Sequence, residues 1–185
     1  MNYSLQHIQQ QFNDGKSLKY LFFWGHQPAK DGSTTKSCFS QWWEVEFTVE
    51  NKTYKTAEHW MMAEKARLFK DEEIRDKILT VNHPNDAKKL GRKVKNFDPK
   101  IWDEKKYKIV VEGNYHKFSQ HESLRQFLIN TKDRIIVETS PVDTIWGIGL
   151  HQDDEKAMNP NLWKGQNLLG FALLEVRDRL INNKE

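Results

Sequence analysis

Between residues 43 and 66 the sequence changes its hydrophobic period with no linker in between, and that junction restricts the fold more than any other stretch. Trp43, Val45, Phe47 and Val49 alternate with Glu44, Glu46, Thr48 and Glu50, the period of two that marks a strand buried on one face. Asn51-Lys52 then turns the chain into Thr53-Tyr54, so a hairpin leads straight into the next element. That element reads as a helix. Thr56 is a suitable N-cap, and neither Gly nor Pro interrupts the run before Phe69. At about 3.6 residues per turn Glu58, Met61, Met62 and Lys65 share one face, while Met62, Ala66 and Phe69 extend an apolar stripe beside it. A carboxylate in a first helical turn complements the helix dipole, worth about 0.3–1 kcal/mol. Beside aromatic and sulfur side chains the same position is also dry and electropositive, a setting for chemistry. On this stretch alone both readings of Glu58 stand.

The remaining segments are mostly helical in pattern. Residues 1–17 are polar, with Leu5, Ile8 and Phe12 at helical spacing, and form an N-terminal extension to a domain spanning 18–185. Residues 18–24 read as a buried strand ended by Gly25, and 26–37 as an exposed loop. A short amphipathic helix is expected over 71–79, and another from Pro84-Asn85 through Val94. Asp98-Pro99 pairs an N-cap with proline at the first helical position and opens a helix to Phe118. Ser119 and Glu122 have capping-box spacing ahead of a helix through Leu128. Residues 134–138 are β-branched and read as a strand; Leu169, Leu173, Val176 and Leu180 mark a final helix. Between them, over 139–166, periodicity disappears, and so long a loop is usually functional or disordered.

A chain of 185 residues with 37% hydrophobic content suits one compact domain with its own core. Seven Trp and ten Phe suffice for that core and for a planar ligand as well. The net charge of +3 is spread along the chain; it permits phosphate contacts without marking a nucleic-acid binder. Cys38 is the only cysteine, and no charged-then-apolar leader or long apolar run is visible, so the expectation is a cytoplasmic protein without membrane contact. The histidines offer no metal-binding spacing, and no metal or cofactor is expected. Cys38 as a nucleophile needs a neighbouring base; beside Phe39 it reads as buried and inert. Gly91-Arg92 and Trp146-Gly147-Ile148-Gly149 let backbone approach a phosphate or sugar closely. The carboxylates left for chemistry are Glu58, Glu138 and Asp143.

Several short motifs, taken in order, carry a resemblance. Phe22-Phe23-Trp24, Cys38-Phe39-Ser40-Gln41-Trp42, Thr56-Ala57-Glu58-His59 with Lys65, Pro84 with Ala87 and Gly91-Arg92, Trp102, Asp143 with Trp146-Gly147 and Gly149, and Asn167-Leu168-Leu169-Gly170 with Arg177 together resemble the NADAR (YbiA-like) family over about residues 20–181. The resemblance implies a single compact α+β domain, mainly helical with a small sheet, that hydrolyses N-glycosidic bonds to ribose. Implied substrates are reactive ribosylamino-pyrimidine phosphates of riboflavin biosynthesis, or ADP-ribose attached to guanine in DNA. The partner is thus a phosphorylated ribosyl small molecule or ADP-ribosylated nucleic acid, with oligomeric state left open. A non-catalytic module holding ADP-ribose or NAD is the contrasting reading.

Carried over by position, the essential glutamate falls on Glu58, the lysine on Lys65, the Gly-Arg on Gly91 and Arg92, and the Asp-x-x-Trp-Gly on Asp143, Trp146 and Gly147. Two departures are a methionine, Met62, where some members have glutamine, and a longer stretch over 151–164. The residue types suit the chemistry. Breaking a C–N bond to ribose builds positive charge at the anomeric carbon. A carboxylate about 4 Å away gains about 4 kcal/mol at an effective dielectric near 20, about a thousandfold in rate when realised only in the transition state. Glu58 is the candidate for that role, and Asp143 the candidate second acid-base group or orienter of ribose hydroxyls. Lys65 and Arg92 suit the phosphate, Phe22 or Trp146 the planar base, and Gly147, Gly149 and Asn167 complete the candidate binding set.

Overall fold

A computed structural model describes residues 3–182. Among them lie seven helices, α1 (Leu5–Asn13), α2 (Ala57–Leu68), α3 (Glu72–Thr80), α4 (Pro84–Gly91), α5 (Pro99–Ser119), α6 (Glu122–Ile129) and α7 (Leu168–Asn182). Four short strands accompany them: β1 (Tyr20–Phe23), β2 (Phe47–Val49), β3 (Lys52–Tyr54) and β4 (Ile135–Glu138). The mainly helical α+β class expected from the sequence is the class observed. The contacts gather into two compact units, one from the stretches up to Ser40 and from Ser123 onward, the other from Gln41–Glu122.

In the discontinuous unit β1 and β4 pair in parallel, from Tyr20 opposite Ile135 to Phe23 opposite Glu138. Within β1 only Phe23 is buried, so the fully buried strand expected there is half-covered. Phe23 meets Phe39 edge-on, and Ile136, Leu169, Phe171 and Leu173 complete a dry core. A β-carbon on Gly170 would overlap the Ile136 carbonyl, so glycine lets α7 lie directly on β4. The free edge of β4 is closed by the Asn167 side chain and by Ile148 N, which donates to Glu138 O. Asn167, at φ 55° just before α7, accepts from Glu138 N at 3.0 Å and donates to Ile136 O at 3.0 Å, as a neighbouring strand would. Buried Arg177 ties α7 to Thr131 and to the Arg134 carbonyl. The N-terminal extension docks here too: Ile8 is buried, Gln9 donates to Pro160 O and Tyr3 to Asp178.

In the continuous unit the alternation over 43–50 persists in burial, although the ladder covers only Phe47–Val49. Glu50 and Asn51, at φ 49° and 61°, form the two-residue turn, one position earlier than the sequence suggests; two left-handed residues match the twist of a tight hairpin. Here again a side-chain amide closes an edge. Gln120 accepts from Thr48 N at 2.9 Å and donates to Thr48 O at 2.8 Å, while His121 Nε2 bonds Glu46 O, so the end of this unit is clasped to its beginning. Ser119 still lies inside α5, its hydroxyl on His116 O, so the expected capping box does not form and α6 starts at Glu122. Likewise α4 ends at Gly91, short of Val94.

The helix α2 is not the two-faced helix its stripe suggests, because α3, α4 and α5 all pack on it and every residue from Ala57 to Glu64 is buried. Glycines permit two of these approaches: a β-carbon on Gly91 would overlap Met62, and one on Gly113 the indole of Trp60. Trp60 in turn donates Nε1–H to Ile109 O at 2.8 Å. Among the described residues no helix is long and apolar enough to cross a membrane.

Candidate active site

The first turn of α2 is built by its cap. Thr56 is extended, and its hydroxyl oxygen accepts from His59 N. The same hydroxyl lies 2.8 Å from His59 Nδ1, and His59 Nε2 lies 3.2 Å from Val81 O. A neutral ring with its proton on Nε2 satisfies both contacts, with Nδ1 accepting the Thr56 proton. Burial pushes the His59 ring below its ordinary value near 6.5, against a smaller opposing effect from Val81 O, which keeps it neutral.

Glu58 sits between these two residues and is 3% exposed. Its backbone N–H donates to Gln41 O at 2.9 Å; the Gln41 side chain accepts from Asn114, itself fully buried and also bonded to Val110 O. Polar bonds therefore fix the backbone around a carboxylate that lies at the electropositive end of a covered helix.

Two turns on, about 10 Å along the axis, the same face of α2 carries Lys65. Its ammonium lies 4.1 Å from the centroid of Phe97 and 5.6 Å from that of Trp102. Burial lowers its pKa, and the positive charge of Arg92 lowers it further; Gly91, the residue before Arg92, packs on Met62, one turn before Lys65, which brings Arg92 to this part of α2. Arg92 caps α4 and is exposed. Among the described residues neither cation forms an ion pair or a side-chain hydrogen bond. The loop from Arg92 to Asp98 is held by buried Asp71, whose Oδ1 caps α3 at Ile74 N while Oδ2 accepts from Lys95 N at 2.8 Å.

Glu58, Lys65, Gly91 and Arg92 thus belong to the continuous unit; Phe22, Asp143, Trp146, Gly147, Gly149 and Asn167 belong to the discontinuous one. There Asp143 Oδ1 accepts from Ile145 N at 2.8 Å and Trp146 N at 2.7 Å, and its carbonyl accepts from Gly149 N, so this carboxylate organises the loop that presents Trp146. Trp146 and Phe22 are half-buried, with Phe22 stacked on Tyr20 at 5.6 Å. A β-carbon on Gly147 would press on Glu138 O, and Gly149 sits at φ 67°; both glycines serve close packing of protein on protein. Asn167 is fully buried, with its amide bonded to β4. The long 139–166 loop is ordered by these bonds and by 3-10 turns at Glu155–Met158 and Pro160–Leu162.

Met62 is buried against Gly91, so this departure from glutamine sits in helix packing. Cavities of about 240 and 270 Å³ share Trp60, Glu64, Arg67 and Glu112 on the opposite side of α2, where Arg67 is paired with Glu64 at 2.7 Å. That side carries none of the candidate residues Glu58, Lys65 and Arg92. Sequence reasoning named His59 and Gln41 only within motifs and gave them no role, and it passed over Phe97 and the Gln41–Asn114 bond. His59 had a signal in its spacing from the Thr56 cap; Phe97 had none. No cluster of three or more His, Cys, Asp or Glu able to hold a metal occurs among the described residues.

Comparison with known proteins converges on one group. A family described as the NADAR domain matches residues 22–181. An N-glycosidase of Acanthamoeba polyphaga mimivirus is 43% identical over 165 residues, which is 86% of this chain and 95% of that protein. The N-glycosidase YbiA of Escherichia coli K12 is 34% identical over 136 residues, 74% of this chain and 76% of that protein. The NMR structure of E. coli YbiA matches with a TM-score of 0.72 at 29% identity, covering 91% of this chain and 89% of that one.

Proposed function

The chain belongs to the NADAR domain family, and from that premise we propose that it is an N-glycosidase that hydrolyses the bond between ribose and a nitrogen leaving group, with ribosylamino-pyrimidine phosphates as its substrates. The observation that carries the reading is Glu58, a carboxylate 3% exposed in the first turn of α2, two turns before a lysine that has no carboxylate partner among the described residues. Charge at the anomeric carbon is stabilised by the Glu58 carboxylate, which also takes a proton from the attacking water as the C–N bond breaks. The amine departs with a proton taken from water or a second acid. Lys65 and Arg92 hold the phosphate, Arg92 by paired N–H donors and Lys65 as a point charge. Two turns of helix is a span that ribose and its 5-phosphate bridge once both side chains reach inward.

The names of the relatives support the bond class; the cation pair supports the phosphate. Incubation with a ribosylamino-pyrimidine phosphate and, separately, with DNA bearing guanine-linked ADP-ribose tests the reading. Release of ribose 5-phosphate from the first is expected. Release of ADP-ribose alone would move the activity to nucleic acid, and binding of either without turnover would reduce the protein to a binding module.

A further inference from the structure

Five lysines in this chain, Lys19, Lys77, Lys89, Lys95 and Lys106, each form an ion pair with a carboxylate at 2.6–3.1 Å. Lys65, half-buried on α2, is held differently: its ammonium lies over the face of Phe97 and nearer to Phe97 than to Trp102. A carboxylate partner would neutralise the ammonium and compete with any incoming anion. An aromatic face orients it through the ring quadrupole and adds no net negative charge.

We propose that Phe97 is a positioning residue that reserves Lys65 for a phosphate monoester, giving the site its preference for phosphorylated over neutral ribosyl substrates. This rests on the reading of Lys65 and Arg92 as the phosphate-holding pair. The ring is placed to do this. Phe97 meets buried Phe69 edge-on at 5.3 Å, follows Asn96 at φ 56°, and lies in the loop that Asp71 fastens through Lys95 N. Arg92 opens that same loop, so one anchored segment carries both the second cation and the ring that steadies the first. Gly91, next to Arg92, packs on Met62 of the helix that carries Lys65, so the two like charges repel one another. A phosphate dianion relieves that repulsion with matching charge; a neutral nucleoside does not. Phe97 is itself 42% exposed, so its replacement leaves the buried core in place.

The test is titration calorimetry with ribose 5-phosphate as probe and ribose as the neutral control, with melting curves for every variant. Phe97→Leu is expected to weaken ribose 5-phosphate about two- to five-fold, the size of a cation–π contact at an exposed position. Phe97→Tyr, which keeps the ring face, should restore wild-type affinity, and Phe97→Leu should have no added effect in a Lys65→Met background. A Tyr variant as weak as the Leu variant, an effect additive with Lys65→Met, or equal weakening of ribose would each overturn the proposal. So would a wild type that binds ribose 5-phosphate no better than ribose. No turnover is needed for this readout. The expected pattern in a protein that hydrolyses nothing would support this proposal and overturn only the glycosidase reading.

Discussion

Glu58→Gln keeps the shape of the side chain and removes its charge, so catalytic turnover should fall by about a thousandfold or more while melting temperature and phosphate affinity stay close to wild type. Steady-state kinetics beside a melting curve checks this, and activity within a few-fold of wild type would remove Glu58 from the chemistry. Asp143 is expected to behave otherwise. Asp143→Asn retains an Oδ1 that can accept from Ile145 and Trp146, so activity should persist with an unchanged pH profile; loss of one limb would make Asp143 an acid-base group instead. His59 gives a stability signature. Its value is depressed in the folded protein, so its contribution is fully present above about 6.5 and is lost as pH falls from there through the folded value, because between the two values the unfolded chain binds a proton the folded one refuses. Melting temperature from pH 7.5 to 5 should therefore drop more steeply in wild type than in His59→Gln, although that variant starts lower. At this scale the sequence was informative where a residue's role follows from its own helix, as with Thr56 and Glu58. For Asn167 it was not, because its partners, Ile136 and Glu138, lie about 30 residues away.

Caps and prolines made helix starts legible: Thr56 and Asp98 with Pro99 cap as expected, while Asp71, read as the first residue of a helix, is its N-cap. The misplaced start was Ser119, where α5 continues through the signal because Ser119 is as well satisfied by the His116 carbonyl as by a cap. Period misled once. Around α2 the apolar stripe points to one buried face, yet glycines on α4 and α5 let neighbours close over the others. A substitution tests that packing. Gly113→Ala would drive a methyl into the indole of Trp60 and strain its bond to Ile109 O, for an expected loss of about 1–3 kcal/mol in chemical denaturation. A change below about 0.5 kcal/mol would show that α5 can shift away from α2 freely.

The parallel pairing of β1 with β4 joins residues about 115 positions apart, and nothing in either strand's own sequence names the other. Contacts within the continuous unit are closer in sequence, and loop closure penalises distant pairs first. During refolding, pulsed hydrogen exchange should find amides of α2 and α5 protected before those of Ile135 and Thr139, which donate to Lys19 O and Phe23 O. Simultaneous protection would argue for a single folding unit. The clasp of Gln120 on Thr48 changes the arithmetic of that distant pairing. Without it, the two halves of the discontinuous unit are tethered by a flexible span of roughly 80 residues. Once Gln120 and His121 have fastened the end of that span to its start, the loop between β1 and β4 shrinks from roughly 110 residues to roughly 40. That shortening, a little under three-fold, lowers the entropic cost of bringing β1 to β4 by about 1 kcal/mol. A hydrogen-bonded amide at the surface of one unit thereby acts as a shortened leash for the other.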